Sequence, residues 1–412
     1  MRDTTTDIAI IGAGAAGYFA AIHAAEAAPD ARVVILEKGR EVLSKVRISG
    51  GGRCNVTHAC FEPSELIKRY PRGAKELRGP FHQWQPSNTI EWFESRGVKL
   101  KTEEDGRMFP TTDSSESIID CLTREADRHR VQVVRQVQVN EITKKDEGFE
   151  LTLQDGNRIR AGRLLIATGG MKPGKLLDSI QALGHTITPL APSLFTFHIK
   201  DPVVQDLQGL ATEILASIPD AKLEATGPAL ITHWGLSGPA ILRLSAWGAR
   251  WIQERGYRFD VVINWTGGVS LQDVMSDFKR RKQEEGKRQI HNRPLFNLPR
   301  RLWERLLDVA GIADTLTWAQ ASGEHLKSLA TRLAECRLEV NGKTMNKEEF
   351  VTCGGISLKE VHFKTMESRI VPRLHFAGEV LDIDGITGGF NFQAAWTTGR
   401  TAGLAMADGL KA

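Results

Sequence analysis

Asp7-Ile-Ala-Ile-Ile-Gly-Ala-Gly-Ala-Ala-Gly17, continuing through Tyr18 and Phe19 into an alanine-rich run that ends near Ala28, decides the fold. Ile8, Ile10 and Ile11 suit a buried parallel strand, and the alanines after Gly14 suit a helix packed closely against it. Between them Gly12 permits a tight turn, Gly14 lets backbone N–H groups approach a pyrophosphate, and Gly17 lets helix and strand come together. Ala15 and Ala16 fill the first helical turn, whose N-terminus supplies partial positive charge. A tight strand-to-helix turn needs the same small residues for purely structural reasons, so the context decides. Arg32-Val-Val-Ile-Leu-Glu37 reads as a second strand, and Glu37, followed by Lys38, stands twenty residues beyond Gly17. A carboxylate there accepts hydrogen bonds from an adenosine ribose and repels a 2′-phosphate, which points to a dinucleotide of the FAD or NAD type.

Working outward, Lys45-Val-Arg-Ile-Ser-Gly-Gly-Gly-Arg-Cys-Asn55 sets Gly50, Gly51 and Gly52 among Ser49, Arg53, Cys54 and Asn55. Consecutive glycines destabilise a helix or strand by about 1 kcal/mol each. The segment therefore reads as a loop laid against something flat or anionic, or as a flexible surface turn. A second set, Thr168-Gly169-Gly170, closes the strand-like Arg163–Ala167. A third lies in His375–Ala395, where Gly378, Glu379, Asp384, Gly388, Gly389, Phe390 and Asn391 form an acidic, glycine-rich loop. A helix from about Phe392 to Met406 follows, its N-terminus suited to a partial negative charge.

Through Gly12–Gly17, Ile48–Asn55, Thr232–Ala240, Val351–Ile356 and Ala377–Asn391, the chain resembles the BaiN/RdsA-type FAD-dependent flavoproteins over nearly its whole length. The resemblance implies non-covalent FAD, with the first glycine turn on the pyrophosphate and Glu37 on the ribose. It places the Ser49–Asn55 and Gly378–Asn391 loops around the isoalloxazine. It further implies either an rRNA uridine reductase that makes dihydrouridine with NADH as donor, or a small-molecule enzyme acting on bile-acid enones or on amines such as aminoacetone. A flavin-bearing RNA-binding factor without turnover is a third possibility.

The expected fold class is α/β: a Rossmann-like FAD-binding domain, residues 1–190 and 350–412, interrupted by an inserted mixed domain, 191–349. The insertion reads as β-rich over 191–265 and as helical and basic over 270–337. Within the first part, 131–139, 149–153 and 158–166 read as strands, with Gln154–Asn157 as a turn. Of 412 residues, 41% are hydrophobic and 25% charged, with a net charge of +4, which excludes a disordered chain. No apolar run approaches the ~20 residues of a membrane span, and the opening residues lead directly into a strand. The reading is cytoplasmic, without a membrane role. Five scattered cysteines without a Cys-x-x-Cys pair argue against a disulfide scaffold or a metal site.

Between Lys279 and Arg305 stand ten basic and three acidic residues, with His291, Phe296 and Trp303 interleaved. Such a run is either a footprint for a polyanion, with Arg280, Arg281, Arg288, Arg300 and Arg301 on RNA phosphates, or a solvated helix face. For proton delivery, Cys353, Cys54 and His233 are the candidates. Each can equally be a packing or structural residue.

Overall fold

The computed structural model describes residues 4–344 and 351–411; Met1–Asp3 and the expected boundary at 349/350 lie outside them. The chain divides into two compact units, Met1–Pro192 with Lys347–Ala412, and Ser193–Asn346.

In the first unit, β1 (Thr4–Ile11) pairs in parallel with β2 (Val33–Leu36) on one side and with the strand Arg158–Ile166 on the other. Leu374–Phe376 and Gln132–Val134 extend the parallel sheet at either side. Ile8, Ile10 and Ile35 are fully buried, as expected of strands covered on both faces. Helix α1 (Ala15–Ala27) lies against the C-terminal helix Phe390–Asp408. A Cβ on Gly399 would stand 2.5 Å from the Ala16 carbonyl oxygen, and one on Gly403 would stand 2.3 Å from that of Ala20. Only glycine at both positions lets the helices approach so closely.

The expected strand at 131–139 is two strands. Gln132–Val134 joins β2, the chain reverses at Gln136 with φ 59°, and Val139–Lys145 then pairs antiparallel with Gly148–Leu153. The turn at 154–157 forms where expected, with Asp155 accepting from Asn157 N. The glycine segment after Lys45 is partly helical: α2 spans Ser44–Gly52, but Ser49, Gly50 and Gly51 leave helical geometry. The terminal helix starts at Phe390, two residues before the expected point, because Gly389 adopts the left-handed conformation that begins it.

The second unit is a closed six-stranded barrel of Thr196–Ile199, Gly235–Ser237, Leu223–Thr232, Ala211–Ile218, Arg258–Asn264 and Cys336–Thr344. Helices Leu271–Glu284, Arg300–Val309 and Gly323–Ala334 share its apolar core. One expectation fails here. The β-rich stretch contains the helix Pro239–Trp247, which Gly238 and the first-turn Pro239 initiate. The helical stretch runs to Ala334, and a barrel strand follows it, with Leu338 and Val340 buried on alternate positions.

Candidate functional site

The turn at Gly12–Gly17 and the second and third glycine sets, Thr168–Gly170 and Gly378–Gly389, fall at the C-terminal edge of the parallel strands, where doubly wound sheets bind ligands. Gly12, at φ +109°, backs onto the next strand, and a Cβ there would meet Ala167 O at 2.5 Å. A Cβ on Gly17 would meet Gly12 O at 2.0 Å, whereas one on Gly14 would meet nothing within 4 Å. Gly12 and Gly17 thus build the turn, and Gly14 opens it. The first turn of α1 carries no side-chain cap, so its N–H groups are available to an anion. Glu37 is oriented by two backbone donors: Oε2 accepts from Ala13 N at 2.9 Å and Oε1 from Gly39 N at 2.7 Å. Lys38 beside it is exposed.

The Lys45–Asn55 segment joins the second and third sets at this edge. Lys45 donates to Glu379 Oε2 at 2.6 Å, and Glu379 Oε1 accepts from Thr352 N at 2.7 Å. A Cβ on Gly170 would lie 2.9 Å from that carboxylate, and one on Gly169 3.8 Å away; Thr168 is exposed. A Cβ on Gly378 would touch Ala16 at 2.9 Å. Asn55 bridges the outer loops, its side-chain amide donating to Thr57 O and accepting from Gly389 N, both at 3.0 Å. The Tyr70 hydroxyl donates to Phe390 O at 2.6 Å, and the His58 ring stacks on Phe390 with centroids 4.6 Å apart. Burial, with Arg69 nearby, pulls His58 below the ordinary histidine range.

Several expected cofactor contacts have other partners. Asp384 is fully buried in a two-pronged ion pair with Arg72. The Asn391 amide is taken up by Gly385, accepting from its N at 2.8 Å and donating to its O at 2.9 Å. Arg53 donates to Glu103 at 2.6 Å and lies 4.0 Å over the Phe109 ring. Ser49 Oγ donates back to Val46 O at 3.1 Å.

The candidate acids also separate. Cys54 is completely buried, and that burial pushes its thiol up to about 12, so it holds its proton throughout the physiological range. Cys353 is likewise without exposure. His233 belongs to the other unit, where it stands exposed beside Trp234 on the turn after Leu223–Thr232.

In the basic segment the arginines have local partners. Arg280 pairs with Asp277 and Glu284, Arg281 with Asp277 and Glu285, Arg288 with Glu285, and Arg300 with Glu304. Arg301 donates to Asp206 O. Trp303 is fully buried with its indole N–H on Ile290 O, so it presents no stacking face. Pairs of this kind at i, i+3 and i, i+4 are the signature of a solvated helix face.

Sequence reading missed His58, Tyr70 and Thr352, and also the Gly399/Gly403 pair. The spacing of four between those glycines, matching that of Ala16 and Ala20, was the available signal.

A flat, anionic dinucleotide fits these residues. Besides Gly14, a Cβ on Gly51 or Gly52 would meet nothing within 4 Å, so the turn and the glycine loop leave open space where a pyrophosphate and a ring system are expected. Among the described residues no group of three or more His, Cys, Asp or Glu side chains could hold a metal ion. No described helix is long and apolar enough to cross a membrane.

The family model for the HI0933-like protein Rossmann domain matches residues 6–405. The chain is 32% identical over 400 residues to the ribosomal RNA dihydrouridine synthase of Escherichia coli K12, covering 95% of this chain and 96% of that protein. It is 29% identical to the 3-dehydro-bile acid delta(4,6)-reductase of Clostridium scindens, covering 97% of this chain and 99% of that one. Among solved structures, the 3-ketosteroid-delta4-(5alpha)-dehydrogenase of Rhodococcus jostii aligns over 99% of this chain and 98% of its own. Its TM-score of 0.52 at 12% identity marks a shared fold. A Rossmann core edged by three glycine turns defines the class here, an FAD-dependent oxidoreductase. Within that class the chain belongs to the HI0933-like family.

Proposed function

We propose that the protein uses FAD, reduced by NADH, to saturate a carbon–carbon double bond, with uridine of large-subunit ribosomal RNA as substrate and dihydrouridine as product. The observation that carries this reading is the near-full-length similarity to a protein named for ribosomal RNA dihydrouridine synthesis. Bound FAD supplies hydride transfer. This chain's own part is to bind and orient. The N–H groups at Ala15 and Ala16 face the pyrophosphate in the space that Gly14 leaves, and Glu37 takes the ribose hydroxyls on its remaining lone pairs. The Ser49–Asn55, Thr168–Gly170 and Gly378–Asn391 stretches surround the ring system, held together by Lys45–Glu379 and by the Asn55 bridge. A proton must reach the carbon next to the one that receives hydride. Burial weighs against Cys54 and Cys353 as its source.

A second reading, a small-molecule enone reductase or amine oxidase, is favoured by one observation. The arginines expected on RNA are paired with their own helix neighbours instead of standing free. The deciding experiment is deletion of the gene, followed by mass spectrometry of large-subunit RNA. Loss of a dihydrouridine, restored by the wild-type gene, is expected; unchanged modification would overturn the rRNA reading and leave the small-molecule one.

A further inference from the structure

We infer that the inserted unit carries a subsite for one nucleotide of the RNA, separate from the reacting uridine, in a cavity formed by the end of helix Leu271–Glu284, the segment that follows it to Leu295, and Trp318. This rests on the RNA reading above and narrows it to a place.

The cavity measures about 270 Å³, just below the ~300–1,000 Å³ typical of ligand pockets, a size that suits one base and its phosphate. Its floor is apolar, formed by Ile290, Leu295 and Trp318, all nearly fully buried. Its rim carries Arg288, Arg293 and Asn292. Three guanidinium groups line it, counting Arg281, against the single carboxylate of Glu285.

The arginines are not equivalent. Arg281 is largely buried and fixed by Asp277 and Glu285. Arg288 keeps 67% of its side chain exposed and shares Glu285 only at 3.3 Å. Arg293 is exposed, and its guanidinium has no hydrogen-bond or ion-pair partner among the described residues. Two cations at the mouth of a small apolar slot match a phosphate joined to a planar ring, and the Asn292 and Gln289 amides offer hydrogen bonds to base edges.

The slot is also preformed. Gln289 bridges to Thr317, Ile290 N donates to Leu316 O at 3.0 Å, and Trp318 N donates to Arg288 O at 3.0 Å. Rim and floor are thus tied to one another through the backbone, and a bound base would order little chain at the moment of binding.

The test measures binding of an unmodified large-subunit rRNA transcript to the FAD-loaded protein across a salt series, for wild type, R288A/R293A and N292W. The double variant should bind about tenfold more weakly. Its plot of log affinity against log salt should flatten by about 1.4, the slope of two phosphate contacts at ~0.7 each on single-stranded RNA. N292W adds bulk at the rim without changing charge, so it should weaken binding several-fold with the slope intact. If the transcript binds wild type and both variants alike, the subsite is wrong while the rRNA reading stands. If wild type shows no salt-dependent affinity for the transcript, the rRNA reading falls and the subsite with it.

Discussion

Lys45 and Glu379, 334 positions apart in the chain, meet at 2.6 Å at the C-terminal edge of the parallel sheet. Glu379 holds the backbone N–H of Thr352 with its other oxygen, so one carboxylate joins the Lys45–Asn55 segment to the last glycine set. The lysine is about half exposed, which limits the ion pair itself to ~1 kcal/mol or less. Lys45→Met should therefore shift the melting temperature little. Glu379→Ala also leaves Thr352 N without its acceptor and should cost about 1–3 kcal/mol. Thermal melts of both variants check this; equal losses would contradict it.

Gly12 and Gly14 should fail in different ways. A Cβ at Gly12 collides with the Ala167 backbone in a left-handed conformation, so Gly12→Val should misfold or melt far below wild type. Gly14→Val meets only open space and should melt close to wild type while losing flavin. Circular dichroism together with visible absorbance separates the two defects.

Much of this was legible because glycine reports backbone geometry directly. The turn at Gly12–Gly17, the carboxylate at Glu37 and the three later glycine sets could be placed by what a positive φ or a close approach requires. The insertion was visible as a gap between nucleotide motifs. Contacts that depend on a distant partner were not legible. Nothing near Asp384 in sequence announces that Arg72 will bury it. The reversal at Gln136 and the barrel strand Cys336–Thr344 were missed for a related reason: strands interleaved with charged residues are defined by their neighbours in the sheet.

Cysteine reactivity should follow burial. Cys54, Cys121, Cys336 and Cys353 are buried and Cys60 is partly exposed. Burial raises the Cys54 thiol to about 12, and those of Cys121 and Cys336 to about 11. Alkylation of the native protein at pH 8 should label Cys60 first, and mass spectrometry reads the site. Rapid labelling of Cys54 or Cys353 would show that the region opens in solution.

Acid should destabilise the first unit through its buried histidines. Burial lowers His23 to about 3 and His375 to about 4, and draws His185 down despite its bond to Glu360. Each group binds its proton more readily when unfolded, near pH 6.5. Their contribution is complete above that value and is lost as pH falls toward 4 and then 3, by up to about 1.4 kcal/mol per pH unit for each. Urea titrations from pH 7 to 4 should show the fall, and His23→Gln should show a shallower one. The same slope in that variant would remove His23 from the account.

The most direct measurement is the flavin content of the purified wild-type protein. Denaturation should release FAD at one equivalent per chain, with no covalently retained flavin, and Gly14→Val and Gly51→Val should release almost none. A colourless wild-type protein that also fails to take up added FAD, or full retention of FAD by both variants, would contradict the claim that these distant glycine segments together hold the coenzyme.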